Sequence, residues 1–165
     1  MSDWRGASRS NYFALAPHLE RAFDDVVRLS GIEAIQGVGE CSGRWSITPG
    51  DPDSGDWDST LTLTKSEVTL LTSHGVDIVL SDGEDMCDKC DDDVVEVFFD
   101  MSWIYPLLAD GEVMVIETVG AEKRRYVTGS AEAYTRLGPL ASISMKDIYE
   151  RVAWAGFNNL SLPHF

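Results

Sequence analysis

The feature that most constrains this chain is the position of its negative charge. The formal net charge is −15 at neutral pH, and the segment from Asp51 to Glu117 holds 18 acidic residues against two lysines. The remainder holds ten acidic and eleven basic residues, so the whole imbalance belongs to that segment. Carboxylates at such density repel one another and cannot enter a hydrophobic core. We therefore expect the densest part, residues 82–93, to form an acidic loop on the surface.

The composition as a whole is that of an ordinary globular domain, with 44% hydrophobic and 25% charged residues. A chain of 165 residues is long enough to build one core. Its longest apolar runs fall well short of the roughly 20 residues that a membrane-spanning helix needs. The first residues carry charge and lack the apolar stretch of a signal peptide. We expect a single domain over residues 1–165, located in the cytoplasm and not in a membrane.

Hydrophobic periodicity predicts the secondary structure. Apolar residues at spacings of three and four predict a helix over 17–30 that ends at Gly31. A short helix is predicted over 102–109, and a final helix from Ser144, where Asp147 completes a capping box. Alternating or largely apolar runs predict strands over residues 33–38, 44–48, 56–64, 68–72, 76–80, 94–99, 112–119 and 125–134. This order predicts an α+β fold, an antiparallel sheet with helices packed on one face.

The sequence carries no recognisable catalytic motif. His18, His74 and His164 are far apart in sequence, and no pairing of a nucleophile with a base can be argued from their spacing. A glycine-rich phosphate-binding loop is also missing. We therefore predict that the protein is not an enzyme.

Cys87 and Cys90 form the one metal-like spacing, because two thiolates separated by two residues can bind one tetrahedral zinc ion. A structural zinc site needs two further ligands, for which His74 and Cys41 are the candidates. Two reduced thiols in a loop explain the same spacing. We predict no required cofactor, with zinc bound by Cys87 and Cys90 as the alternative.

The acidic segment also predicts a class of partner. Its field repels nucleic acid and attracts basic protein surfaces. Carboxylates on one face of a strand recur about every 6.6–6.8 Å, similar to the separation of successive phosphates in nucleic acid. Trp57 lies between two of these carboxylates and is predicted to anchor an interface. The predicted partner-binding residues are Asp56, Asp58, Asp77, Asp82, Glu84, Asp85, Asp88, Asp91, Asp92 and Asp93. Acidity that serves solubility alone is the competing explanation.

Three short segments, Arg9–Phe13, Gly120–Tyr126 and Ser144–Glu150, resemble segments of small acidic proteins carried by phages, plasmids and integrative elements. The resemblance implies a mobile-element setting and transfers no catalytic residue. In that setting the expected function is an inhibitor of anti-CRISPR or antirestriction type. It would mimic nucleic acid, bind no nucleic acid itself, and block the basic DNA- or RNA-binding surface of a host defence complex.

Two other functions fit the same residues. One is an adaptor stabilised by zinc at Cys87 and Cys90, in which the acidic loop merely surrounds the metal. The other is an immunity protein that neutralises a basic nuclease toxin, which shares the electrostatics of the inhibitor and differs only in its partner.

Overall fold

The computed structural model describes residues 4–50, 57, 59–81, 94–122, 126–144 and 147. Within these residues the secondary structure is a succession of short strands interrupted by two α-helices. The elements are β1 (Trp4–Ser10), α1 (Glu20–Ser30), β2 (Glu33–Gln36), β3 (Trp45–Thr48), β4 (Ser59–Thr64), α2 (Lys65–Ser73), β5 (Val79–Leu80), β6 (Val94–Phe99), β7 (Met114–Glu122), β8 (Tyr126–Thr135) and β9 (Gly138–Ser144). Short 3-10 helices lie at Gly39–Cys41, Met101–Trp103 and Tyr105–Leu107. No helix in the described ranges is long and apolar enough to cross a membrane.

The strands are divided among three sheets, and every pairing between them is antiparallel. One sheet has four strands in the order β1-β7-β8-β9, one has the order β4-β6-β5, and β2 pairs with β3 alone. The predicted α+β fold with antiparallel strands is therefore confirmed. The strands are distributed over three sheets, where the sequence suggested one.

Helix α1 forms because its apolar residues recur on one side, where Ala22, Phe23 and Val26 are buried. It ends at Gly31, whose φ of 74° is the left-handed conformation that glycine adopts without strain. The helix begins at Glu20, later than predicted, because Pro17 belongs to a turn that is closed by the Leu19 N–H bonding to the Ala16 carbonyl.

Residues 11–16, here named the central connector, join β1 to the rest of the fold. Phe13 and Trp45 in β3 exchange two backbone hydrogen bonds of 2.8 Å. On its other side the connector makes backbone hydrogen bonds to residues 107–115. The fully buried Phe13 ring packs edge-on against Phe23 of α1 at 6.1 Å. The connector is thus both a backbone bridge and part of the core.

Helix α2 overturns a prediction, because residues 68–72 were expected to form a strand in a hairpin. The Thr64 hydroxyl accepts a hydrogen bond from the Glu67 N–H, and the Glu67 carboxylate accepts one of 2.8 Å from the Thr64 N–H. This capping box starts a helix that buries Val68 and Leu71, three residues apart. The hydrogen bonds from Thr64 also hold the pKa of Glu67 below its usual range.

Other boundaries differ as well. Strands β1 and β9 were not predicted, and only Val79–Leu80 of the expected strand 76–80 pairs as a strand. The expected helix over 102–109 is two 3-10 turns, the second of which contains Pro106. The predicted final helix lies outside the described residues except for Asp147, whose carboxylate accepts a hydrogen bond from the Ser144 N–H.

Replacing Thr64 with alanine should lower the free energy of unfolding by about 1 kcal/mol, because the Glu67 N–H at the start of α2 loses the hydroxyl that accepts its hydrogen bond. Urea unfolding followed by circular dichroism measures this loss. The matched control is Thr62→Ala on the same strand, where the exposed threonine caps no helix and a loss of only a few tenths of a kcal/mol is expected. Equal losses in the two variants would contradict a stabilising capping box.

Candidate interaction surface

The three strands β4, β6 and β5, here named the acidic sheet, carry the strongly acidic parts of the chain. Residues 51–58 run directly into β4, and residues 82–93 connect β5 to β6. Together these two segments hold eleven acidic residues against one lysine, a net charge of −10 out of −15. One small sheet therefore anchors both acidic segments.

The two segments join opposite ends of the acidic sheet. Ser59 pairs with Phe99 at one end of the β4–β6 ladder, and Thr64 pairs with Val94 at the other. Five residue steps at about 3.4 Å put these ends about 17 Å apart. Residues 51–58 attach at the Ser59 end and residues 82–93 end at Val94, so the acidic segments begin from two separate points.

Of the ten predicted partner-binding residues, Asp77 lies in the described part of the chain. It is exposed and precedes by two residues Val79, which pairs with Phe98, so it lies at the end of the sheet where residues 51–58 attach. The other predicted partner and metal residues lie outside the described residues: Asp56, Asp58, Asp82, Glu84, Asp85, Asp88, Asp91, Asp92, Asp93, Cys87 and Cys90.

The outer face of the acidic sheet exposes apolar side chains between the two attachment points. Phe98 is 38% exposed and pairs with Thr60 on one side and Val79, 56% exposed, on the other. Val94, at 47% exposure, and Glu96 complete this face. The opposite face is core, where Val97 and Phe99 are fully buried. An apolar patch thus lies between the points where the two acidic segments join the acidic sheet.

Sequence reasoning missed these apolar residues, although a signal for them was present. Strand 94–99 is apolar at every position except Glu96, whereas one buried face requires apolar residues only at alternate positions. Val95, Val97 and Phe99 supply the buried set, which leaves Val94 and Phe98 as an excess. That excess places two apolar side chains on the outer face of the acidic sheet.

The inner face of the acidic sheet packs against buried aromatic residues. The buried Phe99 ring meets Trp103 edge-on at 5.3 Å. The Asp100 carboxylate accepts a 2.7 Å hydrogen bond from the Ser102 N–H and so caps the first 3-10 turn. Asp100 is therefore committed to the fold, and the outer face presents its side chains from a rigid support.

Trp57 was predicted to anchor an interface, and that role stays a prediction; in the structure its contacts connect two sheets. The indole N–H donates a hydrogen bond to the Ser8 hydroxyl in β1, and the half-buried ring packs against the core. Ser8 is also 2.7 Å from the Thr118 hydroxyl in β7. Trp57 therefore ties the start of the acidic sheet to the four-stranded sheet.

His74, a candidate zinc ligand, is already paired. Its Nε2 lies 3.0 Å from a carboxylate oxygen of Asp25 in α1, and Arg28 donates a 2.9 Å hydrogen bond to the other oxygen. Cys41 is half-buried in a separate 3-10 turn. In the part of the chain that the structure describes, no three His, Cys, Asp or Glu side chains are grouped to hold a metal. Zinc at Cys87 and Cys90 stays a prediction.

The Asp25 interactions predict a pH-dependent stability. The hydrogen bond from Arg28, and secondly that with His74, hold the pKa of Asp25 below its usual range. A lowered carboxylate pKa stabilises the fold fully above the unfolded value of about 3.9, and this stabilisation is lost as the pH falls through the folded value. Asp25→Asn should therefore lower the free energy of unfolding by about 1 kcal/mol near pH 7. Below about pH 4 the variant should lower it by progressively less.

Urea unfolding of both proteins across that pH range measures the difference. The neighbouring Asp24, which is exposed, provides the control: Asp24→Asn should change stability by less than about 0.5 kcal/mol at every pH. A difference between the original protein and Asp25→Asn that stays constant down to acid pH would contradict the role of the charged carboxylate.

The comparisons with known proteins add no family to this description. Neither the models of protein families, nor the curated proteins, nor the solved structures gave a match to the chain.

Proposed function

We propose that this protein is a non-enzymatic inhibitor that binds the basic, nucleic-acid-binding surface of a partner protein through its acidic sheet and the two segments attached to it. The observation that supports this proposal most directly is that both acidic segments join one sheet, whose outer face also exposes Phe98, Val79 and Val94. The proposed partners are host defence proteins that grip DNA or RNA, such as restriction enzymes and CRISPR effectors. The function is then of the antirestriction or anti-CRISPR type.

Charge supplies the long-range part of the proposed binding. A net −10 in two short segments creates a field that attracts basic grooves and speeds encounter with them. Salt screens such a field over about 8 Å at physiological ionic strength. Binding should consequently weaken as salt is added.

The apolar patch supplies the short-range part. Exposed charges at the rim of an interface contribute little affinity, whereas buried aromatic side chains are frequent hot spots. Phe98 is a large apolar side chain on the outer face, and it is bordered by the exposed Glu96 and Val79. In this proposal Phe98 is covered by the partner while carboxylates on either side meet basic residues.

The charge component is tested by inhibition of DNA cleavage by a panel of restriction enzymes and CRISPR effectors, with the 165-residue chain added at low and at high salt. A variant with Asp88, Asp91, Asp92 and Asp93 changed to Asn should inhibit about tenfold less well at low salt. The matched control removes four exposed charges from other elements: Glu20→Gln, Asp24→Asn, Glu33→Gln and Glu40→Gln. Both variants have a net charge of −11, so a difference between them depends on position alone.

The apolar component is tested by Phe98→Ala, which should weaken the same inhibition about tenfold. Ile35→Ala is its control, since Ile35 is also a strand residue and is 40% exposed against 38% for Phe98. Urea unfolding checks that both variants remain folded. Inhibition that is indifferent to salt and equal in all four variants, or no inhibition of any enzyme in the panel, would refute the proposed function.

A further inference from the structure

The outer face of the four-stranded sheet carries small and apolar residues along β8 and β9 and at the adjoining end of β7. Six positions that the register places side by side make up this surface, here named the alanine patch: Val119, Gly129, Ala131, Ala133, Ala141 and Ile143. The charged positions of the same face are Arg5 and Arg9 on β1 and Glu117 on β7. They border the patch on its β1 side, and its own six positions are uncharged.

The alternation along β8 and β9 is the reverse of what a sheet with one solvated face requires. The core lies beneath β1 and β7, where Ser8, Ser10 and Ile116 are buried. On that same side, β8 and β9 carry exposed polar residues such as Glu132 and Ser142. The apolar residues of both strands lie on the other side, so their sequence favours burial of the alanine patch.

The alanine patch is partly open to solvent. Val119 is 51% exposed and Ile143 is 42% exposed, and a shallow depression lies between them over Ala131. This depression extends to Ser144, the last residue of β9. Contiguous apolar surface on a protein marks a site where another surface packs.

The chain itself supplies that surface at the point where it leaves β9. The Ser144 N–H donates a hydrogen bond to the carboxylate of Asp147, and Asp147 has a helical backbone. A serine whose N–H bonds to an acidic side chain three residues later is the N-cap of a helix that begins at the next residue. The cap therefore points to a helix starting at position 145, directly beside the depression.

The sequence that follows has the pattern of an amphipathic helix. Apolar residues recur at steps of three and four: Met145, Ile148, Tyr149, Val152 and Ala155. The charged residues Lys146, Glu150 and Arg151 fall on the other side of the same helix. Eleven helical residues are about 16 Å long. Three neighbouring strands are about 10 Å across, so one such helix is long enough to cover the patch.

We propose that residues 145–155 form an amphipathic helix that folds back over β9 and packs its apolar side on the alanine patch. The glycine and alanine positions of the patch leave room for the larger Ile148 and Val152 side chains between Val119 and Ile143. The segment is joined directly to β9, so its local concentration at the patch is high. A contact much smaller than the roughly 800 Å² per partner between separate chains is then sufficient.

This docking gives the four-stranded sheet a covered layer on each side. The core covers β1 and β7 from one side, and the helix covers β8 and β9 from the other. The apolar residues of β8 and β9 then serve the fold of this chain and are not available to a partner protein.

Hydrogen exchange of the 165-residue chain, measured at roughly 5 and 200 µM, tests the docking. Amides of residues 149–155 should exchange at least about tenfold more slowly than in an unstructured chain, and equally at both concentrations. Ile143→Glu places a charge in the patch and should remove most of this protection. Leu137→Glu is the matched control, since Leu137 is 92% exposed in the β8–β9 turn and lies off the patch. It should leave the protection unchanged.

Nuclear Overhauser effects in the original protein provide a second measurement that depends on no variant. Methyl groups of Val119 or Ile143 should show direct contacts with those of Ile148 or Val152. The absence of these contacts refutes the proposal, and so does a lack of protection over residues 149–155. Protection that survives Ile143→Glu while the β7 and β8 amides show a folded sheet also refutes it. Protection that appears only at the higher concentration refutes it too, because a second copy would then cover the patch.

Discussion

The fold depends on the central connector, which joins the four-stranded sheet to the β2–β3 pair. Its backbone bonds to β3 on one side and to residues 107–115 on the other. The guanidinium of Arg44 holds these segments together. It donates hydrogen bonds to the Tyr12 carbonyl at 3.1 Å and to the Glu112 carboxylate at 2.7 Å. Glu112 in turn accepts from the Ala14 N–H at 3.2 Å, so a single ion pair joins three segments.

This arrangement explains why each of the two larger sheets has a second face that the core does not use. The core is built around Phe13, α1, the inner face of the acidic sheet and the Trp103 region, and it needs only one face from each sheet. Antiparallel sheets tolerate a solvated second face, which normally becomes polar. Here both second faces keep apolar residues, Phe98 on the acidic sheet and Ile143 on the four-stranded sheet. Both larger sheets therefore depart from the polar pattern of a solvated face.

The sequence predicted the elements in which apolar residues recur at one regular spacing. It missed the elements that hydrogen bonds, and not a pattern of apolar side chains, hold in place. The alternating strand over 59–64 and the body of α1 follow clear patterns and were found. Strand β1 was missed because its inward residues are Ser8 and Ser10, which are buried through hydrogen bonds to partners that only the tertiary fold supplies. Helix α2 was mistaken for a strand because Val68 and its neighbouring threonines favour β structure. The capping box that starts the helix was not recognised in the sequence. For the interaction surface, sequence located the charge but not the apolar residues, since exposure of Phe98 depends on which face β4 and β5 turn to the core.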